Sequence, residues 1–253
     1  MVKLSKRLQT IADYVPAGSR LADIGSDHAL LPVYLAEQGR VSFAVAGEIN
    51  DGPLEAARRQ VKESGLGAVV HPRQGDGLAV IDPDEVDVVT VAGMGGTLIA
   101  AILEQGQSKL GSVKRLVLQP NVAEDQVRRW LAAHDWLLDD ETVLEEDGKF
   151  YFILCAVRRD DAHEENVKLY RPRRIGGGPL LETEELLRFG PIAAERGEEA
   201  FFRKWESELE KLDHIMEGMV RAGTDAALSR LEELAAERNR IKEVLECLPK
   251  AKP

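Results

Sequence analysis

Residues 20–32 combine features that are typical of a binding site for a nucleotide-like cofactor. An apolar run that contains Asp23 ends at Gly25, and a second apolar run of helical character follows. Glycine lets the backbone approach a ligand closely, and the start of a helix offers free N–H groups. The Asp23 carboxylate would repel the pyrophosphate of NAD or FAD but would suit a cofactor that carries an ammonium group. These features predict a site for S-adenosylmethionine (SAM), with Ser26 and His28 beside it in the turn.

A second buried strand over residues 41–47 ends at Glu48. An acid at the tip of the second strand, about 20 residues after the glycine turn, can bind both hydroxyls of a ribose. Ile49 and Asn50 follow it and are predicted to lie beside the same cofactor. The turn lacks the full G-x-G-x-x-G pattern, which disfavours NAD. Taken singly, Asp23 and Glu48 are also compatible with a purely structural role in an α/β fold.

A further turn with an acid follows the third predicted strand. Gly75, Asp76 and Gly77 come after the third strand, where Asp76 is placed to meet the exocyclic amine of the cofactor's adenine. The alternative is a solvated turn in which the aspartate bonds its own backbone. For His28 in the first turn, the alternative is a residue at the start of a helix without a catalytic role.

The loop Ala92, Gly93, Met94 and Gly95 closes the fourth strand. Ligands of open α/β sheets bind outside the carboxyl ends of the strands, so this loop should lie where the transferred methyl group meets its acceptor. Met94 would supply a soft apolar wall. An Asn or Asp followed by two prolines and an aromatic residue, common in enzymes that methylate exocyclic amines, is absent here. A ring nitrogen, with its own lone pair, is the favoured acceptor.

Gln119 and Asn121 end the fifth strand, and their amides could read the edge of a base. The alternative is that Pro120 ends the strand and Asn121 caps the next helix. Asp27 is predicted to act on the acceptor side, where its charge would stabilise the positive charge that grows on the methylated ring. An N-terminal helix cap is the alternative for Asp27.

These positions are held by alternating strands and helices. Residues 4–15 have helical apolar spacing and stop at Pro16. The chain then predicts strands at 20–24, 41–47, 68–73, 86–92 and 114–119, and helices near 29–38, 52–64, 96–105 and 122–134. This rhythm predicts a mainly parallel sheet with helices on both faces. Two apolar runs, from Trp136 to Leu144 and from Phe150 to Val157, predict an antiparallel hairpin, the ending typical of class I methyltransferases.

Beyond about residue 160 the strand signals stop. The glycine triplet at 176–178 predicts a flexible joint. Apolar residues then recur at steps of three and four from Phe202 to Met219 and from Ala227 to Leu248, with Arg238 interrupting the second seam. The stop at Gly223 and Thr224 between them predicts an antiparallel helical coiled coil. It could stabilise or oligomerise the protein, or it could grip a large substrate.

Composition and charge limit the classes of function. The 253 residues suffice for an α/β domain and an appendage, and no apolar run is long enough to span a membrane. The two cysteines, Cys155 and Cys247, are expected to be free thiols in the cytoplasm, and no Cys/His spacing suggests a metal. The net charge of −11 is unusual for a nucleic-acid binder, so binding would depend on local clusters such as Arg171, Arg173 and Arg174.

In combination, these motifs resemble the bacterial TrmK family of tRNA methyltransferases, which act on N1 of adenine 22. The likeness rests on the start of the chain near Leu4-Ser5-Lys6-Arg7, the GSDH turn, the segment from Gly47 to Pro53, the AGMGG loop and the LQPN segment. It covers residues 1–160 by motif and the tail by architecture. The resemblance implies a SAM-binding, Rossmann-like domain over 1–160 and a coiled-coil domain over 161–253 that assists tRNA binding. It also implies that Arg7 faces the cofactor carboxylate, and we expect a monomer.

Two other functions stay open on the sequence alone. One is a small-molecule methyltransferase with the same fold. The other is a noncatalytic SAM-binding module whose coil recruits a partner. For the tRNA reaction, N1 of neutral adenine is the nucleophile and the enzyme must align it with the methyl group. Asp27 and the backbone around Met94 are the predicted catalytic groups.

Overall fold

The computed structural model describes residues 2–222 and 225–251. The chain divides into two compact units. The first contains residues up to Thr142 together with Glu146–Lys168, and the second contains Val143–Glu145 together with the residues from Leu169 onward.

The first unit is built on a seven-stranded sheet with the order β3-β2-β1-β4-β5-β7-β6. The first five strands pair in parallel, and β7 pairs antiparallel with β5. The predicted parallel sheet that ends in a hairpin is thereby confirmed. The strand bounds are β1 Ser19–Ile24, β2 Val41–Glu48, β3 Val70–Gln74, β4 Val88–Met94, β5 Arg115–Pro120, β6 Trp136–Glu146 and β7 Lys149–Arg158.

Five helices begin and end within a few residues of the predicted positions. They are α1 Lys6–Tyr14, α2 Leu30–Glu37, α3 Asp51–Glu63, α4 Gly96–Gln105 and α5 Glu124–Ala133. Helix α6, Ala162–Leu169, was not predicted from the sequence. Helix α1 begins where the Ser5 hydroxyl accepts a hydrogen bond from the Leu8 N–H at 3.3 Å. Helix α2 begins one residue later than predicted because His28 and Ala29 adopt left-handed φ angles of 55° and 53° in a 3₁₀ turn.

The central strands β1, β4 and β5 are largely apolar, as expected when helices cover both faces of the sheet. Val88, Val89 and Val91 of β4 and Leu116 to Leu118 of β5 are all buried. Three buried polar residues interrupt this pattern near the carboxyl ends of the strands: Asp23, Thr90 and Gln119. Buried polar groups need hydrogen-bond partners, so these three mark the part of the sheet where the sequence departs from simple core packing.

In the second unit, two short strands pair where the sequence shows no strand signal. These are β8 Arg173–Arg174 and β9 Leu180–Leu181, and the glycine triplet predicted as a joint lies in the turn between them. There the Arg174 guanidinium donates to the Gly178 carbonyl at 2.8 Å. Single turns and two-residue strands are fixed by such contacts and leave no periodicity in a sequence. The helices are α7 Thr183–Phe189, α8 Pro191–Arg196, α9 Glu199–Ala222 and α10 Asp225–Cys247.

The two long helices of the second unit contact one another. Trp205 of α9 and Val244 of α10 are buried, whereas Met216 and Met219 toward the end of α9 are only half-buried. Arg238, which interrupts the predicted seam, forms an ion pair with Asp213 of α9. Gly223 and Thr224, the predicted stop between the helices, lie outside the described residues. The coiled-coil packing itself stays a prediction.

Candidate active site

A cavity of about 670 Å³ opens in the first unit at the carboxyl ends of the strands. That is where ligands bind in open parallel sheets, and its volume is within the range of small-molecule sites. Fourteen of the residues predicted for the site line it: Arg7, Asp23, Gly25, Asp27, Glu48, Ile49, Asn50, Gly75, Asp76, Gly77, Ala92, Gly93, Met94 and Asn121. Four predicted residues, Ser26, His28, Gly95 and Gln119, are not part of its lining.

Asp23, at the end of β1, is the most deeply held acid of the cavity. Its carboxylate accepts hydrogen bonds of 2.6 Å from the hydroxyls of Ser26 and Thr90. Burial nevertheless raises the pKa of Asp23 to about 6, against the lowering effects of the two hydroxyls and of the Arg7 charge. A buried carboxylate of this kind is suited to binding a cationic ligand group, because the positive charge would compensate for the hydration that the carboxylate has lost. Ser26 therefore serves the site through Asp23.

The turn after β1 brings the backbone close to the cavity. Gly25 has a φ of 70°, and the N–H groups of Gly25 and Ser26 both donate to the Gly47 carbonyl at 2.9 Å. A Cβ atom on Gly25 would lie 2.2 Å from the terminal methyl group of Met94. Glycine at this position allows both the left-handed backbone and the close contact with Met94.

Asp27 lies at the cavity with its side chain 81% exposed. Neither the 3₁₀ turn at 27–29 nor helix α2 has a side-chain cap hydrogen bond, so the alternative reading of Asp27 as a helix cap is wrong. His28 is also largely exposed, and its ring nitrogen lies 3.4 Å from the Asp27 carboxylate. The left-handed backbone of His28 turns the chain at this point and leaves Asp27 at the mouth of the cavity.

Glu48 is buried at the end of β2. Its Oε1 atom accepts hydrogen bonds from the Ile49 N–H at 3.0 Å and from the Asn50 N–H and side-chain amide at 2.9 and 3.2 Å. These three donors fix the carboxylate and shape the following loop. At the neighbouring strand end, the Gly75 N–H donates to the Glu48 carbonyl at 3.1 Å, which brings the loop of Asp76 beside the same cavity. Asp76 is exposed, and its side chain makes no cap hydrogen bond to the turn.

Gln119 is fully buried, and both ends of its amide are bonded within the protein. In this arrangement it does not face the cavity as a reader of a base edge. Asn121 does line the cavity, and its side-chain amide donates to the Gly93 carbonyl at 2.8 Å. Gly95 precedes helix α4 and lies near Val122.

Several residues of the cavity were not predicted from the sequence. Tyr151 of β7 lines it, with the Arg7 guanidinium 5.4 Å from the centre of its ring. Apolar side chains form much of the remaining wall: Leu8, Ile24, Leu30, Leu31, Leu98 and Ile102. Thr90, the partner of Asp23, was also missed, although a lone hydroxyl in the apolar run of β4 was a visible signal. Tyr151 and the apolar residues carry no such signal, because they look like ordinary core positions.

The strand order, the antiparallel β7 and the acid-lined cavity at the carboxyl ends of β1 and β2 define a Rossmann-like domain of the class I SAM-dependent methyltransferases. A family model described as TrmK, tRNA (adenine(22)-N(1))-methyltransferase, matches residues 21–246. The chain belongs to this family.

Individual relatives cover nearly the whole chain. A Bacillus subtilis (strain 168) protein named tRNA (adenine(22)-N(1))-methyltransferase is 44% identical over 97% of this chain and 98% of its own length. The crystal structure of the B. subtilis m1A22 tRNA methyltransferase TrmK superimposes with a TM-score of 0.81 at 43% identity, covering 97% of this chain and 100% of that one. A Streptococcus pneumoniae structure in complex with S-adenosyl-L-methionine has a TM-score of 0.79 at 38% identity and covers 96% and 100% of the two chains.

Among the described residues, no helix is both long and apolar enough to cross a membrane. Within residues 2–222 and 225–251, no group of three or more His, Cys, Asp or Glu side chains is arranged to hold a metal ion.

Proposed function

We propose that this protein transfers a methyl group from SAM to N1 of adenine 22 in tRNA. The observation that carries the proposal is the match over 97% of the chain, at 44% identity, to the B. subtilis protein named for that reaction. The cavity supports it, because its acids lie at the strand ends where a SAM molecule and its acceptor would meet.

The residues of the cavity fit SAM, whose bound sulfonium would supply an activated methyl group. Asp23 is buried and has a raised pKa, so a ligand ammonium group would stabilise its ionised form. Glu48 is fixed through Oε1, which leaves Oε2 to accept hydrogen bonds from ribose hydroxyls. Gly25 would admit the ligand close to the backbone, Asp76 would meet the adenine amine, and Arg7 would face the carboxylate.

On the acceptor side, the adenine N1 lone pair must be aligned with the methyl group and kept unprotonated. The two predicted catalytic groups differ in what they can offer. The carbonyls of Gly93 and Met94 already accept hydrogen bonds from Asn121, at 2.8 and 2.7 Å. The Asp27 carboxylate is exposed at the cavity and therefore remains the better candidate to stabilise the cationic product. Met94 would then act as an apolar wall.

The tRNA partner requires a surface beyond this cavity. A base that is paired or stacked must be flipped out, which costs a few kcal/mol, and contacts elsewhere on the RNA would compensate for that cost. We assign this role to the helical part, residues 161–253, and the cofactor to residues 1–160. The protein would act as a monomer in the cytoplasm, where tRNA is modified.

The test is nucleoside mass spectrometry of tRNA incubated with the protein and methyl-labelled SAM. We expect label in 1-methyladenosine from a transcript with adenine at position 22. A matched transcript with guanine at position 22 should stay unlabelled. Equal labelling of both transcripts would refute the assigned position. If SAM bound while no RNA became labelled, the small-molecule enzyme or the noncatalytic module would be the better description.

A further inference from the structure

Gln119 lies between two parts of the active site, although it does not line the cavity. Its Oε1 atom accepts hydrogen bonds from the Arg7 guanidinium at 2.5 Å and from the Gly93 N–H at 3.1 Å. Its Nε2 atom donates to the Pro120 carbonyl at 2.9 Å and to the Asn121 side-chain oxygen at 3.1 Å. A glutamine amide has two acceptor and two donor positions, so all four are used inside the protein.

Asn121 completes a closed network around the Gly93 peptide group. The Asn121 Oδ1 atom accepts the hydrogen bond from Gln119, and the Nδ2 atom donates to the Gly93 carbonyl at 2.8 Å. The backbone N–H of Asn121 donates to the Met94 carbonyl at 2.7 Å. Gly93 has a φ of 77°, and the pairing of β4 with β5 shifts register between Ala92 and Met94. The side-chain amides of Gln119 and Asn121 therefore fix the backbone at Gly93, where the regular pairing of β4 with β5 is interrupted.

Arg7 connects this network to the cofactor side. It reaches the cavity from helix α1, it is close enough to Asp23 to lower that acid's pKa, and it faces the ring of Tyr151. A guanidinium on a long side chain loses rotational freedom when it is fixed, so a buried acceptor that fixes it in advance reduces the entropy cost of ligand binding.

We propose that Gln119 is a positioning residue with two roles. Its Oε1 atom sets Arg7 for the cofactor and also binds the Gly93 N–H, and its Nε2 atom orients Asn121, which holds the carbonyls of Gly93 and Met94 on the acceptor side. The role rests on the proposed function, because it assigns one half of the amide to SAM and the other to the methylated base. A residue that only fills the core would act on stability alone.

The test combines calorimetric SAM binding, thermal unfolding and single-turnover methylation in five variants. Gln119→Leu removes all four hydrogen bonds and should weaken SAM binding roughly 3- to 10-fold, the range of about one hydrogen bond. In an Arg7→Ala background, the same change should weaken SAM less than about twofold, because residues that act through each other are not additive. Gln119→Glu keeps the acceptor for Arg7 and should restore SAM affinity while the single-turnover rate stays about tenfold low, since the Nε2 donor is lost.

Asn166→Leu is the matched control, because Asn166 is buried in α6, donates to the Trp136 carbonyl at 2.9 Å and does not line the cavity. It should lower the melting temperature and leave SAM affinity unchanged. The proposal is overturned if Gln119→Leu weakens SAM equally with and without Arg7, or if Gln119→Glu binds SAM as poorly as Gln119→Leu. Failure of the wild-type protein to methylate tRNA would refute the proposed function instead, and the calorimetric cycle would still decide the role of Gln119.

Discussion

Asp23 and Thr90 are register partners on neighbouring parallel strands, and the Thr90 hydroxyl donates a 2.6 Å hydrogen bond to the Asp23 carboxylate. The Ser26 hydroxyl binds the other oxygen at the same distance. Two donors do not replace the lost hydration, and the pKa of Asp23 is raised from 3.8 to about 6. The acid is therefore held in the fold at a cost to stability, which is common for groups that serve a ligand.

This raised pKa predicts a pH-dependent stability. The folded chain binds the Asp23 proton more tightly than the unfolded chain does, so protonation of Asp23 stabilises the fold. This contribution is fully present below about pH 4 and is lost as the pH rises through about 6. Asp23→Asn, which imitates the protonated acid, should be more stable than wild type at pH 7.5 by up to about 3 kcal/mol, and by little at pH 4. Urea unfolding without ligand at both pH values measures the difference. An equal difference at the two pH values would contradict the prediction.

Replacement of Glu48 should weaken SAM binding without unfolding the protein. Glu48→Gln keeps an acceptor for the N–H groups of Ile49 and Asn50 and removes only the charge. Loss of charge-assisted hydrogen bonds to the ribose should cost about 1.5–3 kcal/mol, or roughly 10-fold or more in affinity. Calorimetry gives the affinity, and Glu55→Gln, on the exposed part of α3, is the control that should bind normally. Unchanged affinity in Glu48→Gln would show that Glu48 does not bind the cofactor.

Asp27→Asn should slow methyl transfer while leaving the fold intact. The carboxylate is exposed and makes no cap hydrogen bond, so its loss should shift the melting temperature little. Loss of charge stabilisation in the transition state should lower the single-turnover rate at unchanged SAM affinity. Asp13→Asn, an exposed change on α1 outside the cavity lining, serves as the control. A wild-type rate in Asp27→Asn would show that its charge is not needed for the chemistry.

The two glycines before and at the start of helix α4 should respond differently to alanine. A Cβ atom on Gly96 would lie 1.9 Å from the Ala123 carbonyl oxygen, which is backbone and cannot move away cheaply. Gly96→Ala should therefore destabilise the protein by about 1–3 kcal/mol. On Gly95 the added atom would meet only the Val122 side chain, at 3.9 Å, so Gly95→Ala should lie within about 0.5 kcal/mol of wild type. Chemical denaturation of both variants checks the contrast, and equal stabilities would disprove it.

Removal of the residues after Lys168, which form most of the helical part, should separate SAM binding from tRNA binding. The shortened chain keeps all of α6 except its last residue, including Asn166, which donates to the Trp136 carbonyl in the first unit. It should bind SAM normally but lose affinity for tRNA, and binding of tRNA by the full chain should weaken as salt rises. Methylation by the shortened chain at the full-length rate, with tRNA limiting, would show that the helical part has another purpose.

The sequence by itself determined the order of the elements from α1 to β7 and the strand ends at which the predicted ligand-binding residues lie. Both follow from local signals. Apolar runs predict buried strands, and glycines such as Gly25 and acids such as Glu48 stand directly after them. Because parallel strands present their carboxyl ends at one edge of the sheet, most of the predicted site residues come together at one cavity.

Only the tertiary structure decided which polar groups face the ligand and which hold their neighbours. Gln119 and Asn121 are both amides next to Pro120, yet Gln119 is buried under Arg7 and Gly93 while Asn121 lines the cavity. Thr90 meets Asp23, and Arg7 meets Tyr151, across long separations in the chain. These contacts depend on strand register and on the docking of α1, and neither is encoded by the spacing of residues within one segment.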